Sequence, residues 1–390
     1  MRFQGTHFAL VKIVWKRHLG AETRGRNVSR LLQYLSSALA QGGEQRDLLH
    51  LKTRLAVHLA RKGEVQKATE TIAEIRKTGA AGLFADATAR ANLAEGVALF
   101  CSGRSDLAGD KLRRAIALGD AASQAQVSRW ARSWLAHLEL DNGHVDAVAP
   151  YAMDLLAITP ESEHWVLSRI GSTVASGLHL GDRYDLARPW FEFARQHAVA
   201  EGDDLTIDAN LYNVAALRIH NLRLSEIASG IDPIETQRAE MELRSSFNYD
   251  AAKSPKSFRW AIPLIELQLS LLLGRHEFVI DRLPKWLEAY RGIAPPRHVV
   301  LALADHAYVL ATQGENQRAF DTLAEAVRGI TADMAVDEIA LLKHREAQVS
   351  RALSDDSSAV SSLNEAVASL AVHRRDQLRF VGALSGISQR

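Results

Sequence analysis

Fifteen histidines and one cysteine are the side chains in this chain best suited to metal or nucleophilic chemistry, and their spacing points away from both. Two imidazoles share one zinc ion from a helix when they stand four residues apart, because that spacing puts them on one face. No His-x-x-x-His pair occurs, and His276-Glu277 is not followed by a second histidine four residues on. Cys101 is the sole cysteine, so neither an internal disulfide nor a four-cysteine metal site can form. Near the end of a helix, such a residue reads as a small core side chain rather than an activated thiol. The glycine-rich patterns that cradle phosphates and the Gly-x-Ser-x-Gly nucleophile turn are missing as well. The chemistry left to expect is recognition by arginine, histidine and aromatic side chains, with no catalytic residue, cofactor or metal.

Composition narrows the class of molecule. Apolar residues make up 47% of the chain, charged residues 24%, and prolines number only 9, which describes an ordered protein. The 47 basic and 46 acidic side chains nearly cancel, so any attraction to a polyanion must be local. No run reaches the ~20 apolar residues that a membrane helix needs; Phe8 to Trp15 is interrupted by Lys12. Residues 1 to 30 are basic, with Arg2, Lys12, Lys16, Arg17, Arg24, Arg26 and Arg30 against Glu22, and read as a solvated capping helix without a secretory leader. A cytoplasmic, bacterial protein is expected from this composition.

Those recognition residues need elements to position them, and the text of the chain is periodic. Turn signals recur at Lys62-Gly63-Glu64, Ser102-Gly103-Arg104, Asn142-Gly143-His144, Leu180-Gly181-Asp182, Leu273-Gly274-Arg275 and Gln313-Gly314-Glu315. Close helix crossing requires small side chains where backbones approach. A first column of mostly small residues runs Ala56, Gly96, Ala136, Ala175, Ala215, Leu267, Ala307, Ala347, in steps of 40, 40, 39, 40, 52, 40 and 40. Twelve residues further on, Ala68, Ala108, Val148, Ala187, Ile227, Val279, Ala319 and Ala359 repeat the same steps, including the irregular one. Leu51, Leu55, Val57 and Leu59 among Arg54 and Arg61 show the local helical patterning, and strand signals are scarce.

This pattern resembles the tetratricopeptide repeat family. That family places a small residue midway along helix A, a turn glycine seven residues later, a small residue five after that, and a large apolar residue followed by alanine on helix B. Repeat 2 reads Gly96, Gly103, Ala108, Leu112, Ala115, and repeat 7 reads Ala307, Gly314, Ala319, Leu323, Ala326. Repeat 8 has Ser354 at the glycine position, and repeat 4 has its glycine one residue early. The period of 40 exceeds the family's usual 34, and the proline that often ends helix B is mostly missing. The resemblance implies an all-α, right-handed superhelical solenoid of about eight helix-turn-helix repeats with capping helices.

The expected organisation is a basic segment with capping helices over residues 1–46, repeats 1 to 5 over 47–228, an inserted helix and loop over 229–258, repeats 6 to 8 over 259–372, and a C-terminal capping helix over 373–390. Within the first segment, residues 28–41 read as a lone B-type helix and residues 6–20 as the helix before it. Asp232 and Pro233 suit the N-cap and first position of the inserted helix, and Ser246 to Ser257 read as a loop. Asp376 to Ile387 read as the final cap.

In a tetratricopeptide superhelix, helix A lines the concave face. The family's offsets select His50 and Arg61, then Arg90, Val97 and Phe100, Trp130 and His137, Arg169 and His179, Tyr212 and His220, Gln268, Tyr308, and finally His344, Gln348 and Arg351. Ten of these are the partner-binding candidates: Arg90, Trp130, His137, Arg169, His179, Tyr212, His220, Tyr308, His344 and Arg351. With Asp141 as the lone carboxylate beside them, the resemblance implies a cationic, aromatic-lined groove that takes an acidic peptide or helix of a partner protein. The competing reading is that the same residues fill joints between repeats. Trp130 is expected to face the groove and Trp134 the core, with Trp165, Trp190, Trp260 and Trp286 as packing residues. Two further functions stay open: a solenoid that senses a peptide or small ligand, and single-strand nucleic-acid binding.

Overall fold

The computed structural model describes residues 29–80, 86–250, 259–332 and 334–384. Among them there are helices and turns but no strand, and the helices follow one another as antiparallel hairpins. A single B-type helix, α1 (Arg30–Gln41), comes first, its start capped by Ser29, whose hydroxyl accepts from the Leu32 amide at 3.1 Å. The expected helix at residues 6–20 lies outside the described residues. Four hairpins follow: α2 (Gln45–Lys62) with α3 (Val65–Ala80), α4 (Ala87–Cys101) with α5 (Ser105–Ala121), α6 (Ala125–Asp141) with α7 (Val145–Ile158), and α8 (His164–Leu180) with α9 (Tyr184–Glu201). Then come α10 (Asp204–Ala228) with α11 (Pro233–Asp250), α12 (Ala261–Leu272) with α13 (His276–Tyr290), α14 (Pro296–Thr312) with α15 (Asn316–Arg328), and α16 (Val336–Ala352) with α17 (Asp356–Leu384). The chain is an all-α solenoid.

One backbone device makes seven of the eight hairpins. A residue in the left-handed conformation ends each A helix, at Gly63, Gly103, Gly143, Asp182, Gly274, Gly314 and Ser354, with φ between 58° and 77°. The amide after it reaches back to a carbonyl in the last turn, as in Glu64 to Leu59 at 2.9 Å and Asp355 to Ser350 at 2.9 Å. The apparent early glycine of repeat 4 is thereby explained: Gly181 keeps a negative φ, and Asp182 takes the left-handed position in register.

Repeat 5 departs from the expected boundaries. Its A helix runs 25 residues without a break, so Ala215 and Ile227, assigned by the columns to two helices, lie on one. No glycine stands near Leu222 to stop it; the first stop is Gly230, at φ 83°. Asp232 then caps α11, accepting from the Ile234 amide at 2.8 Å. That helix, expected as an insertion, packs Ala239 and Leu243 against Ala215, Ile219, Ile265 and Leu269 and is therefore the B helix of repeat 5. It continues to Asp250, through part of the expected loop, and residues 251–258 lie outside the described ones. The final cap is also not separate: α17 runs unbroken to Leu384.

Several A helices are covered on nearly every side. In α8, 14 of 17 residues are buried, and in α14, 12 of 17, whereas α15 buries only Ala319, Leu323 and Ala326. A helices such as α8 and α14 therefore face inward and meet other helices nearly all round, whereas α2 buries only 7 of its 18 residues and B helices such as α15 keep a wet face. This follows from how tightly the array coils. The Leu31 amide of α1 donates to the Gly202 carbonyl at 3.2 Å, and Arg61 of repeat 1 pairs with Asp203 at 2.6 Å, joining the start of the array to the elbow between repeats 4 and 5. Arg297 of repeat 7 donates to the Asp141 carboxylate of repeat 3 at 2.7 Å, and Val381 of α17 lies against Gly181 of repeat 4. One superhelical turn thus takes about four repeats, and successive turns touch.

The small-residue columns make this coiling possible. A Cβ added to Gly96 would stand 2.9 Å from Leu112 Cγ and 3.3 Å from the Ala108 carbonyl oxygen. Gly96→Val is expected to lower stability by about 2 kcal/mol through overpacking, while Gly292→Ala, with nothing within 4 Å of the new carbon, should leave the denaturation midpoint nearly unchanged in the same chemical melts.

Candidate functional site

The first superhelical turn draws repeats 1, 3 and 4 onto a common centre. From α2 come Arg54, Val57, His58 and Arg61; from α6, Trp130 and Trp134; from α8, Trp165 and Arg169; from the elbow where α9 meets α10, Glu201 and Asp203; and from the first turn of α10, Thr206. Together with Leu31 they surround a partly enclosed cavity of about 30 Å³, room for about two water-sized bodies. Arg169 stacks on Trp134 with its guanidinium carbon 3.9 Å from the ring centre, and Arg54 and Arg61 lie over Trp165 and Trp134 at 5.1 and 6.0 Å.

The elbow carries the acids. Glu201 pairs with Arg54, Asp203 with Arg61 at 2.6 Å, and Asp204 with Arg30 at 3.2 Å. Asp203 also caps α10, and Arg61 reaches the Thr206 hydroxyl at 2.8 Å. Burial alone would raise the Asp203 carboxyl, but Arg61, His58 and the Thr206 hydroxyl outweigh it and hold the acid below the ordinary carboxylate range. Glu201 goes the other way: burial raises it despite Arg54.

The ten candidates divide by location. Trp130, His137 and Arg169 come together at this centre: Trp130 lies 6.0 Å from Trp165, and His137 packs on Phe100 and Trp134. Arg90 is buried nearby, its Nε donating to Asp86 at 2.7 Å and its Nη1 3.3 Å from His50. His179 is buried against Tyr184 and Phe191, and Tyr212 is half-buried, its hydroxyl pushed up by burial and by Asp141. His220 pairs with Asp337 at 2.8 Å. Tyr308 and His344 belong to a second centre, and Arg351 is exposed at the end of α16.

The second centre is an ion network buried between repeats 5, 7 and 8. Asp305 accepts from Arg223 at 2.8 Å and from Arg345 at 2.8 Å, and Arg345 reaches Glu226 at 3.3 Å. Arg345 lies over the Tyr308 ring at 4.9 Å, and His344 stands 3.8 Å from Glu226.

Two expectations about the wall are corrected. Acids are not confined to Asp141: Asp86, Glu201, Asp203, Glu226, Asp305 and Asp337 all meet inner-wall bases. Trp130 and Trp134 do not divide between groove and core, because both are buried at one cavity. Trp165, read as packing, lines it too. The elbow Glu201-Gly202-Asp203-Asp204 was missed; the signal that would have marked it is three acids within four residues beside a cap.

Among the described residues no group of three or more His, Cys, Asp or Glu is placed to hold a metal ion, and no helix is long and apolar enough to cross a membrane. Cys101 is half-buried, and burial pushes its thiol up to about 11.

Neither a scan against protein-family models nor a search of curated proteins gives a match. Among solved structures, a "Circular tandem repeat protein with novel repeat topology and enhanced subunit contact surfaces" is similar over 97% of this chain and 99% of that chain, at 13% identity and a TM-score of 0.24.

Two outcomes follow from the charges. Asp305→Ala leaves the buried Arg223 without its carboxylate and Arg345 with Glu226 alone, and should cost about 3 to 5 kcal/mol in denaturant melts. Burial holds His50, His137, His179 and His298 at about 3 and His58 at about 4. The unfolded chain protonates these rings below about 6.5, so their contribution to stability falls as pH drops through that value. Glu266 and Glu338, raised to about 7 mainly by burial, work in the opposite sense, but five groups outweigh two. The thermal midpoint should therefore fall steadily from pH 6.5 to 4; a flat profile would contradict this balance.

Proposed function

We propose that the chain is a tetratricopeptide-type interaction scaffold that takes an acidic segment of a partner protein on the inner face of its first superhelical turn. The observation that supports this most is the seating of its own acidic elbow. Glu201, Asp203 and Asp204 occupy Arg54, Arg61 and Arg30 in the way an extended acidic segment would. Arginine forks bind such carboxylates with directional, charge-assisted hydrogen bonds, and the neighbouring indoles supply flat apolar anchors. In this reading the elbow is an intramolecular placeholder. A partner competes with it, and exchange opens the first turn, which brings the scaffold and sensing readings into one mechanism.

Helical repeat arrays commonly serve as interaction scaffolds, since each added repeat extends a surface rather than closing a pocket. Nucleic-acid binding is the weaker reading. A single strand needs a continuous open cationic track, whereas the basic inner-wall residues Arg54, Arg61 and Arg90 each face an acid. Catalysis is weaker too, because burial keeps the Cys101 thiol protonated at neutral pH.

Competition sets the test. A labelled Glu/Asp-rich peptide should bind the Glu201→Gln, Asp204→Asn double variant at least tenfold more tightly than the parent chain, and binding should weaken with salt. Arg54→Gln in that background should abolish the gain. No binding to the elbow-relieved variant by fluorescence anisotropy would sink the proposal.

A further inference from the structure

The charges around the first-turn cavity do not balance. Three guanidiniums line it, Arg54, Arg61 and Arg169, against two carboxylates, Glu201 and Asp203. Those two acids are engaged by Arg54 and Arg61. Arg169 is 6% exposed and stacks on Trp134, but among the described residues no carboxylate pairs with it. Its nearest counter-charge, Asp203, is already engaged directly by Arg61, so burial of the Arg169 cation is only partly compensated, which marks a place suited to a further anion.

Two further buried nitrogens on residues that line this cavity lack partners. The Trp165 indole N–H is buried and makes no hydrogen bond. His58 is buried with its Nε2 3.0 Å from the Ser29 hydroxyl oxygen, and its Nδ1 is unpartnered. The Ser29 oxygen already accepts from the Leu32 amide. The hydroxyl can donate its own proton to His58 Nε2 while it accepts from the amide, and in that tautomer the imidazole proton sits on Nδ1. The side chains of Arg169, Trp165 and His58 thus line a space for about two water-sized bodies, the footprint of the two oxygens of one carboxylate, with the indole and imidazole nitrogens buried just behind its wall. The flat indole and guanidinium surfaces suit a planar anion better than a tetrahedral one.

We propose that this cavity binds the carboxylate of a small organic acid, with Arg169 as its counter-ion and Trp165 and His58 as further donors, and that the bound anion locks the first turn. His58 belongs to repeat 1, while Trp165 and Arg169 belong to repeat 4, so the anion bridges the two ends of that turn. The site is complete with the elbow in place, and so goes beyond the partner-binding reading rather than resting on it. The space admits a head group only, so the rest of the acid must extend toward the open side.

The test is thermal denaturation of the full chain in sodium acetate against sodium chloride and sodium sulfate at equal ionic strength, at pH 7.5. Acetate should raise the midpoint saturably, because a ligand that binds only the folded state stabilises it by mass action. Arg169→Met should melt no lower than the parent in chloride and should lose the acetate shift. Trp165→Phe, which keeps the ring and removes the donor, should retain the fold and weaken acetate about tenfold. A short peptide with a free C-terminal carboxylate, compared with its amide, separates a polypeptide source of the carboxylate from a free acid; a shift from the peptide and none from acetate would overturn the small-acid assignment. Equal shifts in chloride and acetate, a shift specific to sulfate, or an acetate shift that survives Arg169→Met and Trp165→Phe would each overturn the site.

Discussion

Close approach of one helix to the next, at a position where only a small side chain fits, is the constraint on which the solenoid depends. Gly96 against Leu112 and Gly171 against Phe193 show how little space the crossing leaves. Repeated at a period near 40 residues, with a left-handed residue closing the A helix in every repeat but the fifth, that crossing fixes one hairpin shape and stacks it on the next. A constant rotation per repeat then determines the superhelix. Here it brings repeat 1 to the elbow after repeat 4, and repeat 3 to repeat 7.

Tight coiling has an electrostatic consequence. Inner-wall bases that would face solvent in a wider coil are brought against acids one turn or half a turn away. Arg61 meets Asp203 across 142 residues of sequence, and Arg297 meets Asp141 across 156. Partial burial makes these pairs directional, because each must satisfy its hydrogen bonds where water cannot. The inner face is consequently a set of intramolecular contacts that a competing ligand has to replace, and this links binding to curvature.

The two inner centres differ in balance. Around Asp305, two arginines share Asp305 and Glu226, so the network is closed in charge. Around Arg169 it is not, and the donors of Trp165 and His58 remain unsatisfied beside a cavity. A structural network needs no visitor; an unbalanced one beside open space is suited to receive an anion.

The repeat period, the hairpin turns and the buried columns were legible in the sequence, because each depends on a few residues within one repeat: a glycine or its substitute at the turn, an alanine at the crossing. Even Ser354 could be placed at its turn from register alone. The boundaries of repeat 5 were misread, since twelve residues between columns look the same whether they contain a turn or two further turns of α10, and only the packing of Ala239 and Leu243 on Ala215 and Ile219 identifies the B helix. Trp130 and Arg169 line the cavity and His137 packs beside them, since which side a residue takes is a local property of helix face. What faces them was not legible. Whether Arg61 meets water or Asp203 depends on the small rotation per repeat summed over four repeats, a global quantity to which no single residue is sensitive, and so the closed turn and its cavity were decided by the tertiary structure alone.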